Sequence, residues 1–158
     1  MPAYEVTVRM FPETLGLSVR ETVAGPAEIP PFLGDGFAAL GMAGVSLSGP
    51  PLVVYHALEA SPAAIDLELV CPAAPEVAGP LLTPGGRSLT RCVLPAGEAA
   101  TLTHVGPYDA LGEAYQALEA WIAAHGYRVS GPPQEIYMTG PTDPGPPVTE
   151  VRFPVARV

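Results

Sequence analysis

Glu135 and Tyr137 stand two residues apart in Gln134-Glu135-Ile136-Tyr137, so if this run is a β-strand the carboxylate and the phenol project from one face. A carboxylate beside an aromatic ring suits a large flat cation, which gains both charge pairing and contact with the electron-rich ring face. A strand glutamate is also at home in solvent, so spacing alone leaves both readings open. What singles out Glu135 is a near copy upstream. Gly131-Pro132-Pro133-Gln134-Glu135-Ile136-Tyr137 is matched by Gly49-Pro50-Pro51-Leu52-Val53-Val54-Tyr55. In both, the paired prolines fix φ and exclude helix, and a run of strand formers follows. Tyr55 answers to Tyr137, but Val53 is apolar where Glu135 is an acid.

Other residues are weaker candidates for the same site. Glu68 and Glu150 fall at equivalent places, which speaks for a shared strand environment as much as for chemistry, and they are taken as secondary acids. Tyr108 either lines a groove or packs on a sheet, because it begins an apolar helix stripe. Trp121 lies beside that stripe and is assigned to packing. In a catalytic reading Glu135 is a general base on water, with Tyr137 supporting the leaving group. His56, His104 and His125 have no spacing that converges on a metal, and neither a Ser-His-Asp order nor a phosphate loop is present, so no metal or cofactor is expected.

The two copies are 82 residues apart, the distance from Gly49 to Gly131, and the same offset relates Arg9 to Arg91, Val23 to Val105, Gly44 to Gly126 and Glu68 to Glu150. One domain built of two repeats follows, residues 4–76 and 86–158, joined by residues 77–85 in which Gly85 and Gly86 supply flexibility. Each repeat opens with alternating residues, either a hairpin or one strand broken by a turn: residues 4–10 then 15–23, and in the second repeat residues 97–105. A helix follows. In the second repeat it is clear, with Pro107 at its first position, Tyr108, Leu111, Tyr115, Leu118 and Ile122 in one stripe, and Gly126 at its end in positive φ. Gly126 is accordingly expected to tolerate a β-branched residue much worse than Gly145. In the first repeat Pro30, Pro31, Gly34, Gly36 and Gly41 weaken the helix, although Ile29, Leu33 and Leu40 repeat its stripe. Two strands close each repeat, residues 52–58 with 65–71 and 134–139 with 148–154, across loops at 59–64 and 140–147. The expected fold is α+β: two fused βαββ repeats related by a pseudo-twofold axis, with an antiparallel sheet carrying both helices on one face.

At 158 residues the chain is long enough for a real core. No stretch approaches the ~20 apolar residues of a membrane span and no signal-like start is present, so a soluble cytoplasmic protein is expected. A formal charge of −9, with all seven basic residues arginine, argues against direct nucleic-acid binding. Cys71 and Cys92 lack a metal spacing, and Cys71 aligns with Phe153, so it is read as a buried apolar residue.

His104-Val105-Gly106-Pro107-Tyr108, then Tyr115, Trp121-Ile122, Gly126-Tyr127, Glu135-Ile136-Tyr137, Thr149-Glu150 and Pro154-Val155, resemble the GyrI-like small-molecule-binding family over essentially the whole chain. That family includes the effector-binding domains of multidrug-responsive transcription activators. The resemblance implies a ligand groove between the repeats on the sheet face away from the helices, and a Glu-x-Tyr acid, here Glu135, that contacts cationic aromatic ligands. Tyr137, Tyr55, Tyr108 and Val53 would line the groove, with Glu68 and Glu150 nearby. Without a basic helix-turn-helix extension the chain resembles the free-standing relatives, some implicated in hydrolysing strained cyclopropane rings of alkylating natural products, others acting as gyrase inhibitors. A topoisomerase or a separate regulator is therefore a candidate protein partner beside the small-molecule ligand.

Overall fold

Alternating residues decide the strands and the 3.6-residue stripes decide the helices. In the computed structural model, which describes residues 4–61, 64–140 and 143–158, the elements run β1 (Thr7–Phe11), β2 (Thr14–Val23), α1 (Ile29–Ala43), β3 (Leu52–Ser61), β4 (Ala64–Pro72), β5 (Leu81–Leu82), β6 (Ser88–Leu94), β7 (Gly97–Val105), α2 (Leu111–Ala124), β8 (Tyr127–Val129), β9 (Gln134–Tyr137) and β10 (Val148–Arg157). The strands pair antiparallel, so the fold is α+β as the sequence implies. The first expected loop is shorter than 59–64, since β3 continues to Ser61. Pro62 and Ala63 there, and Pro141 and Thr142 of the second loop, lie outside the described residues. Among the described residues no helix is long and apolar enough to cross a membrane.

Packing divides the chain into two compact units, Glu13–Pro95 and Met1–Pro12 with Ala96–Val158. In the first the strand order is β3-β4-β2-β6-β5. Helix α1 forms despite its composition because Pro30 and Pro31 fall in the first turn, where a backbone N–H has no intrahelical partner to lose. Phe32, Gly36, Ala39 and Leu40 then make its buried stripe. At Gly36 a Cβ would lie 2.6 Å from Leu69 Cδ2, so a bare backbone lets the helix settle onto β4 without displacing that buried side chain. The helix ends at Gly44 in the left-handed region, φ 67°, with Val45 N–H donating to the Leu40 carbonyl at 3.0 Å.

Residues 77–85 behave differently from a loose connection. β5 pairs with β6 through Leu81↔Leu89, and the turn beyond it is clasped to α1. The Thr83 hydroxyl and the Gly85 N–H donate to Asp35 at 2.5 and 2.7 Å. Arg87 bridges Asp35 at 3.0 Å and Glu21 at 2.7 Å. Gly85 is small because a Cβ would fall 2.8 Å from the Asp35 carboxylate, and Gly86 turns at φ 86°. These glycines serve a fixed turn.

The other unit has strand order β1-β7-β10-β9, with β8 also on β10. Leu111, Ala114, Leu118 and Ile122 of α2 pack with Ala100 and Leu102 of β7 and Val151, Phe153 and Val155 of β10. The helix begins later than the sequence suggests: Pro107 is extended, residues 108–110 form a 3₁₀ turn, and Tyr108 is left 53% exposed. Gly126 has the expected positive φ, 78°, but Gly145 has one too, 86°, so backbone strain alone does not separate them.

Elements recur at the 82-residue offset. The 3₁₀ turns, α1 and α2, and β3 and β9 begin at positions related by that spacing, and the starts of β1 and β6, β2 and β7, and β4 and β10 match within two residues. Of the two openings expected for each repeat, the hairpin is absent among the described residues, since β1 does not pair with β2, and the strand broken by a turn is what forms: β1 and β2 are interrupted at Pro12 and Glu13 and keep one register against β7 and β6. β1 pairs with β7 (Arg9↔Ala99), and β6 pairs with β2 in the equivalent register (Leu17↔Arg91). The first strand of each repeat is thus built into the unit that holds most of the other.

Candidate functional site

Strand register fixes where the acid points. Glu135 lies opposite Val151 and Tyr137 opposite Thr149. Val151 belongs to the core beneath α2, so Glu135 and Tyr137 stand on the helix-facing side of their strand. The groove face implied by the resemblance, away from the helices, is not the face of this acid. Ile136, between them, takes the opposite side.

Glu135 is only 8% exposed. A buried carboxylate is costly unless donors surround it. Two phenols do so: the Tyr115 hydroxyl, from α2, donates to Oε2 at 2.6 Å, and the Tyr137 hydroxyl donates to Oε1 at 3.1 Å. The rings are themselves held edge-on, Tyr115 against Phe153 with centroids 5.8 Å apart and Tyr137 against Tyr108 at 6.1 Å. The result is a buried carboxyl group enclosed by aromatic rings. Tyr115 reads in the sequence only as a packing residue of the helix stripe. Its signal was the exchange with Leu33, parallel to the exchange of Glu135 with Val53.

The remaining candidates are dispersed. In the other unit Val53 is wholly buried opposite Leu69 and Tyr55 is buried opposite Leu67, both on the α1 side. Glu68 lies on the reverse side of that sheet, in a 2.9 Å contact with His56 Nε2 and opposite Arg20 in register. Glu150 is buried on the side away from α2, where Arg9 donates to Oε1 at 3.3 Å and Arg152 to Oε2 at 3.1 and 2.6 Å. Both guanidinium groups lie over the Phe11 ring, at 4.6 and 3.6 Å. Glu150 is therefore compensated by its own arginines and does not join Glu135. His104 is buried, with Nδ1 accepting from the Tyr4 hydroxyl at 2.9 Å and Nε2–H donating to the Pro107 carbonyl at 3.0 Å. It thereby braces the turn that carries Tyr108. Cys71 is buried as expected, and that burial pushes its thiol up to about 12.

The GyrI-like small molecule binding domain matches residues 5–156 of the chain. Among solved structures, the chain is similar to the C-terminal domain of EcmrR at 26% identity and TM-score 0.81, covering 98% of this chain and 99% of that one. EcmrR in its DNA complex, EcmrR-RPo, matches at 28% identity and TM-score 0.76, over 98% of this chain and 58% of that one. SAV2435 bound to tetraphenylphosphonium shares the fold at 14% identity and TM-score 0.65, over 96% and 94%. No curated protein sequence matches.

Proposed function

The chain belongs to the GyrI-like small-molecule-binding family over residues 5–156, and from that premise we propose that it binds amphipathic, planar cations with Glu135 as the recognising acid. The observation that carries this reading is a carboxylate 8% exposed whose oxygens accept hydrogen bonds from Tyr115 and Tyr137. Phenol hydroxyls are charge-assisted hydrogen-bond donors to a carboxylate, and the surrounding rings supply apolar contact for a flat cation. Tyr108, edge-on to Tyr137, extends the same aromatic surface.

A hydrolytic role would have Glu135 take a proton from water. Hydrogen bonds at both oxygens suit an anchoring anion better than a base. The DNA contact of EcmrR belongs to that protein, and a net charge of −9 without lysine is a poor match to duplex phosphates.

The test is calorimetric titration of tetraphenylphosphonium into wild type and Glu135→Gln. Gln keeps the shape and removes the charge, so the affinity should fall about ten- to a hundredfold, the worth of a charge-assisted contact. The neutral triphenylphosphine oxide should lose much less. Equal affinity of both proteins for the cation would sink the assignment.

A further inference from the structure

Thr149 is wholly buried, yet its hydroxyl oxygen has no hydrogen-bond partner. A hydroxyl removed from water without a partner costs free energy, so an unpaired one calls for a physical account. Strand register places it in a single row, directly opposite Tyr137 on β9 and directly opposite His104 on β7. That row lies on the α2 side, one same-face step along the strands from Glu135 and Val151. His104 is committed elsewhere, to Tyr4 and the Pro107 carbonyl. Among the described residues two other buried oxygens without partners, on Thr101 and Gln134, flank Arg152 in register and so belong to the reverse face.

We propose that the Thr149 hydroxyl is a second, uncharged anchor of the ligand site. It pairs with a polar substituent, a carbonyl, amide or hydroxyl, on a planar cation whose charge lies at Glu135. This rests on the reading of Glu135 as the cation-recognising acid and narrows its ligand class. Two residues along a strand and one strand across separate the two anchors by about 8 Å, within the span of a fused aromatic system and one substituent. Tyr108, 53% exposed and in ring contact with Tyr137, stands beside the row, and rotation of a side chain so exposed is fast enough to make room.

The test uses 10-methylacridinium and its 9-carboxamide, which share ring and charge and differ by one polar group. Each is titrated into wild type, Thr149→Val and Thr149→Ser, with thermal midpoints measured alongside. Wild type should bind the carboxamide about five- to tenfold tighter, the worth of one added hydrogen bond. Thr149→Ser should keep that preference. Thr149→Val should lose it while its midpoint stays level or rises, because an unpaired hydroxyl has been removed. Equal affinity of wild type for both compounds, or a preference that survives in Thr149→Val, overturns the anchor alone. A lowered midpoint in Thr149→Val also overturns it, assigning the hydroxyl to an internal water. Failure of wild type to bind either compound overturns the cation reading itself, and the anchor with it.

Discussion

Val53 and Glu135 hold the same place in two like strands, and both are buried, one without a polar atom and the other with a carboxylate. The difference is tolerable because Tyr115 supplies a hydroxyl 2.6 Å from the acid where the first repeat has Leu33. Removing that hydroxyl with Tyr115→Phe leaves the ring packed on Phe153 and should cost roughly 1.5–3 kcal/mol in urea unfolding at neutral pH. Combined with Glu135→Gln the losses should fall short of additive by more than about 0.5 kcal/mol. Additive losses would contradict a direct bond. The acid and its strand-mate Tyr137 were legible in the sequence, since period-2 spacing states which side chains share a face. Tyr115 was not, because a helix position at packing spacing says nothing of where its hydroxyl ends. Nor was the separation of Glu150 from Glu135. An odd spacing along one strand can be read, but the partner strand and its arginines cannot.

At the scale of elements, α2 was plain from its stripe, whereas α1 carries three glycines and two prolines and still runs Ile29–Ala43. Its glycines are not equivalent. A Cβ at Gly34 or Gly41 would meet nothing within 4 Å, while one at Gly36 would press on Leu69, itself fully buried. Gly34→Ala and Gly41→Ala should each raise stability by about 0.5–1 kcal/mol, the helix preference for alanine, and Gly36→Ala should lower it. Equal shifts for all three in a denaturation series would refute the close approach of α1 to β4. Which glycine sits beneath a helix is a tertiary fact, so composition showed a weak helix without showing what held it down. The same limit applies to Gly85, read as a flexible joint until its N–H is seen on Asp35.

Over the whole molecule the excess of acid makes the arrangement of the few arginines matter. Hydrogen bonding from Thr83, then Gly85 and Arg87, holds Asp35 below the usual carboxylate range, and hydrogen bonding from Arg20 does the same to Asp66. A lowered folded value contributes stability that is full above the unfolded value and is lost as pH falls through the folded one. The thermal midpoint should therefore drop below about pH 4. Asp35→Asn should be less stable at neutral pH and show a shallower acid limb, and an unchanged limb would remove Asp35 as a contributor. The 82-residue offset is written in residue types, and the starts of several elements fall at it within two residues. The exchange of β1 and β6 between units was not legible, since pairing across long separations leaves no mark on local pattern. That exchange has a consequence during translation. Unit Glu13–Pro95 is continuous and is complete before β7 exists, whereas β1 must wait for a partner that begins 90 residues after it, Gly97 against Thr7. At ribosomal speed the delay is on the order of 5–20 s, during which β1 is a nascent strand with both edges open. Glu5 and Arg9, interleaved with Val6, Val8 and Met10, put charge on that waiting segment, a placement that disfavours pairing with a second unpaired strand.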